Sequence, residues 1–494
     1  MSIQINLLDS DFICTENLLV IIAKKDHIQK LETNKLPREI LNLWTDIVFS
    51  PFRDDKKKHT TTWIKNKLRI TFCFLPENVS RYNSPANPIV ITSFLRDIIE
   101  DSQNDFSVII ILEKTEHAFV TACAIGRAFP EYSAKTKDLK ISINIHLFPL
   151  DKKSINLPKL AYIIKSVRFA ASLVDIPAIN FCEKLFIDRE LLSLSENQNI
   201  QVNILSNDSL SSYGLGGLIA VGMASLKKPF LAVLKYEPKN SRQSPQKIKT
   251  HVWIGKGIIF DTGGLNLKNK TEMRGMKRDF AGAAAVLAAF KAIVNLKIQD
   301  RIYGILCVAE NSIGPNSLRP DDIVTLCSGR TVEIVNTDSE GRLLLADGLA
   351  YATKQISPDF LVTIGTLTDS QPIATGIYHA AIVSNNRKLE KYAIRAGLES
   401  GDLVHPLPFC PELFSDEFLS NIADMTNSVK NRNNARCACA AQFVFEHMNG
   451  GTIPWLNVDM TGPSMYKGRG TGFGVAFLVK LAQILSRAKV DWDR

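Results

Sequence analysis

Asn336-Thr337-Asp338-Ser339-Glu340-Gly341-Arg342-Leu343 sets two carboxylates and a guanidinium at alternate positions, just before an apolar run. In an extended segment alternate side chains point to one side, so Asp338, Glu340 and Arg342 are expected to face one volume. Two carboxylates that close repel each other unless a cation lies between them or one is protonated. A divalent metal is the simplest resolution, and it marks the chain as an enzyme candidate.

A second cluster lies upstream, in Ile254-Gly255-Lys256-Gly257-Ile258-Ile259-Phe260-Asp261-Thr262-Gly263-Gly264. Lys256 falls inside an apolar strand, where an ammonium must be exposed, paired or functional, because burying it alone is costly. Asp261 stands at the strand end before a Gly-Gly turn, and ligands of α/β sheets gather at strand ends. Lys268 follows seven residues later, and Asp279 directly precedes a helix opening at Phe280-Ala281-Gly282. Each has an ordinary alternative: Asp279 as a helix cap, Lys256 as an edge-strand lysine, Lys268 as a loop charge, Asp338 as a turn residue. Four acids and two lysines converging on strand ends are harder to explain structurally.

The elements that must position these groups alternate between strand and helix periodicity. Residues 1–160 form a small N-terminal α/β domain, with strands at Leu18–Ala23, Leu68–Phe74, Phe106–Leu112 and Leu139–Phe148 and a helix over Glu113–Phe129. This part holds no polar cluster at catalytic spacing and reads as assembly or regulatory. Residues 161–175 are a linker helix, within helical periodicity over Leu157–Leu173 that Asp175-Ile176-Pro177 breaks. Residues 176–494 form a larger α/β catalytic domain, a central mixed sheet flanked by helices. Its strands are expected at Phe230–Tyr236, His251–Phe260, Arg301–Glu310 and Phe360–Leu367, and its helices at Ala281–Leu296 and Leu343–Lys354. A polar loop, Glu237–Thr250, carries Pro238, Ser241, Ser244 and Pro245.

Bulk properties narrow the class. The 494 residues are 45% hydrophobic and 22% charged, ordinary for a soluble globular protein of two or more domains. A net charge of +9 is modest at this length, and Lys56-Lys57-Lys58-His59 follows Asp54 and Asp55 as a solvated loop would. No basic stripe supports nucleic-acid binding. Nine cysteines at irregular spacing, several within apolar runs, suit reduced buried thiols. Cys437-Ala438-Cys439 has no second pair and is no zinc ribbon. The start of the chain, with Asp9, Asp11 and Glu16, reads as neither a secretory signal nor a transit peptide. No uninterrupted apolar run reaches membrane-spanning length. A cytoplasmic protein without a membrane partner is expected.

Gly255–Ala284 together with Asn336–Gly348 resembles the leucyl (cytosol) aminopeptidase family of di-zinc metallopeptidases. The octet matches the family signature, with Ser339 where Ala is usual, and the spacings from Lys256 through Asp261, Lys268 and Asp279 to Asp338 fit as well. Met276-Lys277-Arg278-Asp279 and Arg469-Gly470-Thr471-Gly472-Phe473-Gly474 look closer to the animal probable aminopeptidase-like branch than to the lens-type enzyme. The resemblance covers residues 170–494 well and the N-terminal part in outline.

The resemblance implies a metal-dependent aminopeptidase that removes the N-terminal residue of peptides through a two-metal-activated hydroxide. Asp261 and Glu340 would bridge two divalent ions, zinc with manganese or magnesium at the exchangeable site. Asp338 would complete one metal site, and Asp279 with the neutral amine of Lys256 the other. Lys268 would stabilise the oxyanion, and Arg342 would anchor a bicarbonate ion that shuttles the proton. Met276, Asn336, Thr366 and Asp369 would line the substrate pocket. A homohexamer is implied, acting on peptides with a free N-terminus.

Other motifs are weaker. Gly214-Leu215-Gly216-Gly217 lacks the full dinucleotide spacing and reads as a turn. His379 and His447 read as structural, and no nucleophile elbow is present. Two departures from the family pattern concern the pocket. Asp369 replaces a glycine; it would narrow the pocket, favour a basic side chain, or turn outward. The usually glycine-rich loop is altered over Asn431–Cys439. A catalytically weak, structural or interaction protein is the alternative, and loss of ligand residues would favour it; none is lost here.

Overall fold

The computed structural model describes residues 2–8, 16–27, 30, 36–48, 59–65, 67–102, 104–136, 139–239, 248–448 and 450–488. Asp9, Asp11, Cys14, Lys56-Lys57-Lys58, Ser241, Ser244 and Pro245 lie outside the described residues. Two compact units are present: Met1–Arg168 with Leu398–Gly401, and Phe169–Gly397 with Asp402–Arg494.

In the first unit a six-stranded sheet runs in the order Ser2–Leu8, Lys140–Pro149, Phe106–Leu112, Leu18–Ala23, Leu68–Phe74, His59–Ile64. All neighbours are parallel except the antiparallel edge strand His59–Ile64. Leu18–Ala23 is buried on both faces, which is why it reads as a continuous apolar run rather than an alternation. Helices Pro88–Asp101 and His117–Ala128 pack into one core cluster with Val20 and Ile22. Helix Arg38–Val48 packs through Ile40 and Trp44 against the opposite face, with Leu19 and Ile21.

The second unit is built on an eight-stranded mixed sheet. Its order is Val404–Pro406, Ala380–Ser384, Trp455–Asp459, Phe360–Gly365, Thr250–Asp261, Arg301–Asn311, Phe230–Tyr236, Ile200–Ser206. The four strands from Trp455–Asp459 to Arg301–Asn311 are parallel, so their C-terminal ends share one edge. Asp459, Gly365, Asp261 and Asn311 close those ends, the last two as register partners. This is the edge where an α/β sheet presents ligand groups.

Helix Ala281–Leu296 lies over the sheet and is buried for most of its length. Its alanines follow from close approach: a Cβ on Gly282 would lie 2.4 Å from the carbonyl oxygen of Ile364 and 2.7 Å from that of Lys256. By length and composition alone, Met276–Leu296 is apolar enough to cross a membrane, but here it is mostly buried core. Helix Gly341–Gln355 is likewise buried along its first three turns. Expected element bounds differ from the observed ones at helices as well as strands: the helix His117–Ala128 opens later than the expected Glu113. Phe360–Gly365 stops two residues early because Leu367 turns its N–H away from the sheet to the Asp459 carboxylate, at 3.1 Å.

Six of the eight described cysteines are buried; Cys182 is exposed and Cys410 half-buried. Gly214 turns the chain at φ +69°, and the helix that follows is pinned by Asp347, whose carboxylate accepts from the Leu218 N–H at 2.9 Å and the Cys327 N–H at 2.7 Å. His447 is fully buried, with Nδ1 2.7 Å from the Ser328 hydroxyl.

Candidate metal centre

The octet is not extended. Asp338 N–H donates to the Asn336 side-chain oxygen (3.0 Å), and Ser339 N–H to the Asn336 carbonyl (3.1 Å). The segment therefore turns, Glu340 stands at the head of helix Gly341–Gln355, and Arg342 lies within its first turn. The expectation that strand alternation brings these groups together is corrected by that asparagine, which offers the backbone a local turn instead. Convergence still occurs. Carboxylate oxygens of Asp261, Asp338 and Glu340 lie within 4.8 Å of one another.

Lys256 is 3% exposed and sits on a central strand, not an edge. Its ammonium meets Asp279 Oδ1 at 2.6 Å, Glu340 Oε1 at 3.1 Å and the Thr366 carbonyl at 2.6 Å. The Lys268 ammonium meets Asp261 Oδ2 at 3.0 Å and is ion-paired with Asp338. Asp279 does not cap the helix after it; its Oδ1 accepts instead from Lys256 and from the Thr366 hydroxyl at 2.5 Å.

Charge crowding governs the titration of the cluster. Burial, then repulsion from Glu340 and Asp279, pushes Asp261 up to about 8. Burial likewise raises Asp279 and Asp338. Burial also works to raise Glu340, but the ammonium groups of Lys256 and Lys268 outweigh it and hold this carboxyl low. Burial works against both ammoniums, yet the surrounding acids keep each well above the ordinary lysine value. Arg342 is pulled down to about 10 by burial.

One atom tests whether a metal fits. Asp279 Oδ2 is buried and has no hydrogen-bond partner among the described residues. A buried carboxylate oxygen left unsatisfied is costly, and coordination to a cation satisfies it. The donor set, four carboxylates and one amine, is the hard, oxygen-rich type that divalent ions take.

These groups line a cleft of about 220 Å³. Met276, Asn336, Thr366 and Asp369 line it too, so all eleven expected site residues come to one cleft. Their parts differ. Met276 is buried, and Asn336 is spent on the turn. Thr366 holds Asp279. Asp369 is an exposed rim residue, ion-paired with Arg436 from the altered loop. The Arg342 guanidinium donates to the Asn427 carbonyl at 3.0 Å.

Three supporting residues escaped the sequence reading. The Asn311 amide donates to Asp261 Oδ1 (2.8 Å) and to the Thr337 carbonyl (3.2 Å), and lies 3.5 Å from Glu340 Oε2. A polar residue closing the strand beside Asp261 was the available signal. Asn427 fixes the octet from a distant segment, accepting from the Val335 N–H at 2.9 Å and donating to the Asn336 carbonyl at 2.7 Å. Asp459 accepts from Leu367 N–H, the Thr368 hydroxyl (2.7 Å) and the Thr461 hydroxyl (2.7 Å). Neither of the last two carried a local motif.

The chain is similar to known proteins over most of its length. Residues 168–479 match the profile described as "Cytosol aminopeptidase family, catalytic domain", and residues 17–138 match "M17 aminopeptidase N-terminal domain 2". The chain is 41% identical over 422 residues to "Probable aminopeptidase NPEPL1" of Mus musculus, covering 83% of this chain and 79% of that one. It is 35% identical over 413 residues to "Leucine aminopeptidase 1" of Caenorhabditis elegans, covering 82% of each. Among solved structures, leucyl aminopeptidase from Trypanosoma brucei in complex with bestatin superposes with a TM-score of 0.87 at 28% identity, covering 98% of this chain and 95% of that one.

Proposed function

The chain belongs to the cytosol aminopeptidase family and is a metal-dependent aminopeptidase acting on peptides, and we propose that it works with two divalent cations held by Lys256, Asp261, Asp279, Asp338 and Glu340. The observation that carries the metal reading is the orphaned, buried Asp279 Oδ2 beside three carboxylates within 4.8 Å of one another. Asp261 and Glu340 would serve both ions, Asp338 one of them, and Asp279 the other, together with the Lys256 amine once the cations displace its proton. Zinc, with manganese or magnesium at a looser position, suits this donor set. When bound, such a pair supplies Lewis-acid polarisation of the peptide carbonyl and a water acidic enough to attack it near neutral pH.

The protein's own groups do the rest. Lys268, held at the cleft wall by Asp261 and Asp338, puts an ammonium where negative charge builds on the carbonyl oxygen. Arg342 is fixed through one N–H to Asn427, which leaves further donors for an anion in the cleft. Bicarbonate is the proposed anion, accepting and returning the proton. A free substrate α-amine would be held as a further ligand of one of these cations, which would restrict the reaction to chain ends.

A homohexamer in the cytoplasm, with the first unit serving assembly, is proposed from the family resemblance; light scattering on the full chain tests the assembly. Hydrolysis of Leu-, Met- and Arg-amides with added Zn²⁺ or Mn²⁺, beside a Glu340→Ala control, tests the chemistry. Turnover that needs the metal and Glu340 is expected. A folded protein with no metal-dependent turnover overturns the reading in favour of a structural role.

A further inference from the structure

Asp369 and Arg436 stand 67 positions apart, yet they form an ion pair at the rim of the cleft that holds the proposed metal ligands. Asp369 follows the strand Phe360–Gly365, whereas Arg436 opens the helix Arg436–Phe445. The carboxylate side chain is 72% exposed and the guanidinium only 19%. The arginine is thus the embedded partner, and the acid folds onto it.

A single buried carboxylate holds both ends of this pair in place. Asp459, 1% exposed, accepts from Leu367 N–H and the Thr368 hydroxyl, immediately before Asp369. The same carboxylate accepts from the Cys437 thiol, immediately after Arg436, at 3.4 Å. Two rim residues whose neighbours share one anchor are set in register with each other, rather than meeting by chance on a mobile surface. Inside the rim, Met276, Leu367 and Val429 supply the apolar part of the lining.

We propose that the Asp369–Arg436 pair determines specificity: it walls the pocket for the departing residue and cancels the acid at its mouth, so the site accepts uncharged side chains and disfavours basic ones. An unpaired Asp369 would attract an arginine or lysine side chain, and an unpaired Arg436 a glutamate. Joined, the two cancel each other's charge beside the apolar lining of Met276, Leu367 and Val429. The inference rests on the aminopeptidase reading of this site.

The test uses the full-length, metal-loaded protein as wild type, Arg436→Met, Asp369→Asn and the double variant, with Arg436→Lys as the conservative control. Two readouts are taken for each: kcat/KM on Leu-, Arg- and Glu-amides, and dissociation constants for leucine, arginine and glutamate hydroxamates. Freeing one unit charge at a half-exposed rim changes selectivity on the order of tenfold. Arg436→Met is expected to raise the Arg-to-Leu ratio by about that factor and Asp369→Asn the Glu-to-Leu ratio similarly. The double variant and Arg436→Lys should both return toward wild type. Ratios that stay within about twofold in both single variants, or a wild type that already prefers arginine, overturn the proposal. If no protein turns over but the hydroxamate ratios shift as expected, the catalytic reading fails and the pair stands. If turnover is intact and the ratios are flat, the pair fails alone.

Discussion

Gly341 and Lys256 are so closely apposed that a methyl group on the glycine would lie 2.3 Å from Lys256 Cε and 2.6 Å from its Nζ. The lysine therefore reaches Asp279 and Glu340 only because the first residue of helix Gly341–Gln355 has no side chain. Gly341→Ala is expected to displace the Lys256 amine and cost the protein at least one of the two proposed cations. Metal content by mass spectrometry on folded variant and wild type decides; equal stoichiometry and affinity would show that the lysine can relocate.

Asn311 is not among the residues lining the cleft but donates to Asp261 and lies beside Glu340. Groups that orient metal ligands are worth roughly 10–100-fold in affinity when removed. Asn311→Ala is expected to weaken metal binding by about that factor, beyond a loss of about 1–3 kcal/mol in the stability of the chelated protein from the donor withdrawn from Asp261 and the Thr337 carbonyl. A titration in competition with a chelating dye reads the affinity.

Ala435 occupies the left-handed region at φ 36°, ψ 40°, just before the helix that carries Arg436. That conformation costs an L-residue about 1–2 kcal/mol, while glycine gives back part of the gain through the entropy of the unfolded chain. Ala435→Gly is expected to stabilise the protein by about 0.5–1 kcal/mol. A urea midpoint that moves down instead would mean that the methyl group packs usefully.

Acid sensitivity has an identifiable contributor in His447. Burial, with repulsion from Arg330, pulls its pKa from 6.5 down to about 3 in the fold. The unfolded chain therefore takes up this proton first. The stabilisation from keeping the imidazole neutral is complete above pH 6.5 and is lost as pH falls toward 3. The slope reaches at most about 1.4 kcal/mol per pH unit. His447→Gln should flatten the pH dependence of stability relative to wild type between about pH 4 and 6.5. Parallel profiles for the two proteins would exclude this assignment.

Much of the fold was legible because buried strands and apolar helices carry their signal locally. Leu18–Ala23, Leu68–Phe74, Phe106–Leu112, Phe230–Tyr236 and the helix Ala281–Leu296 fall where periodicity and punctuation put them. Ser2–Leu8, with mixed burial along an edge, lacks that contrast; Arg38–Val48 carries it at Ile40, Leu43, Trp44 and Ile47 and still was not foreseen. At the site, acids and lysines at strand ends were readable by type and spacing. The local geometry of the octet was not, because Asn336 diverts the backbone from the extended path that alternation suggests. Asn427 and Asp459 were hidden for another reason: the Val335 and Leu367 N–H groups that they hold each lie 92 positions away, beyond any short window.

Asp459 closes one parallel strand and fastens the rim, whereas Asn311 closes another and fastens the acids around the proposed cations. Recognition and reaction thus hang from different pegs of one rigid rack. A lineage carrying this architecture can exchange what it trims by rewriting Asp369 and Arg436 together, in two correlated steps, while the chemistry beneath is inherited untouched.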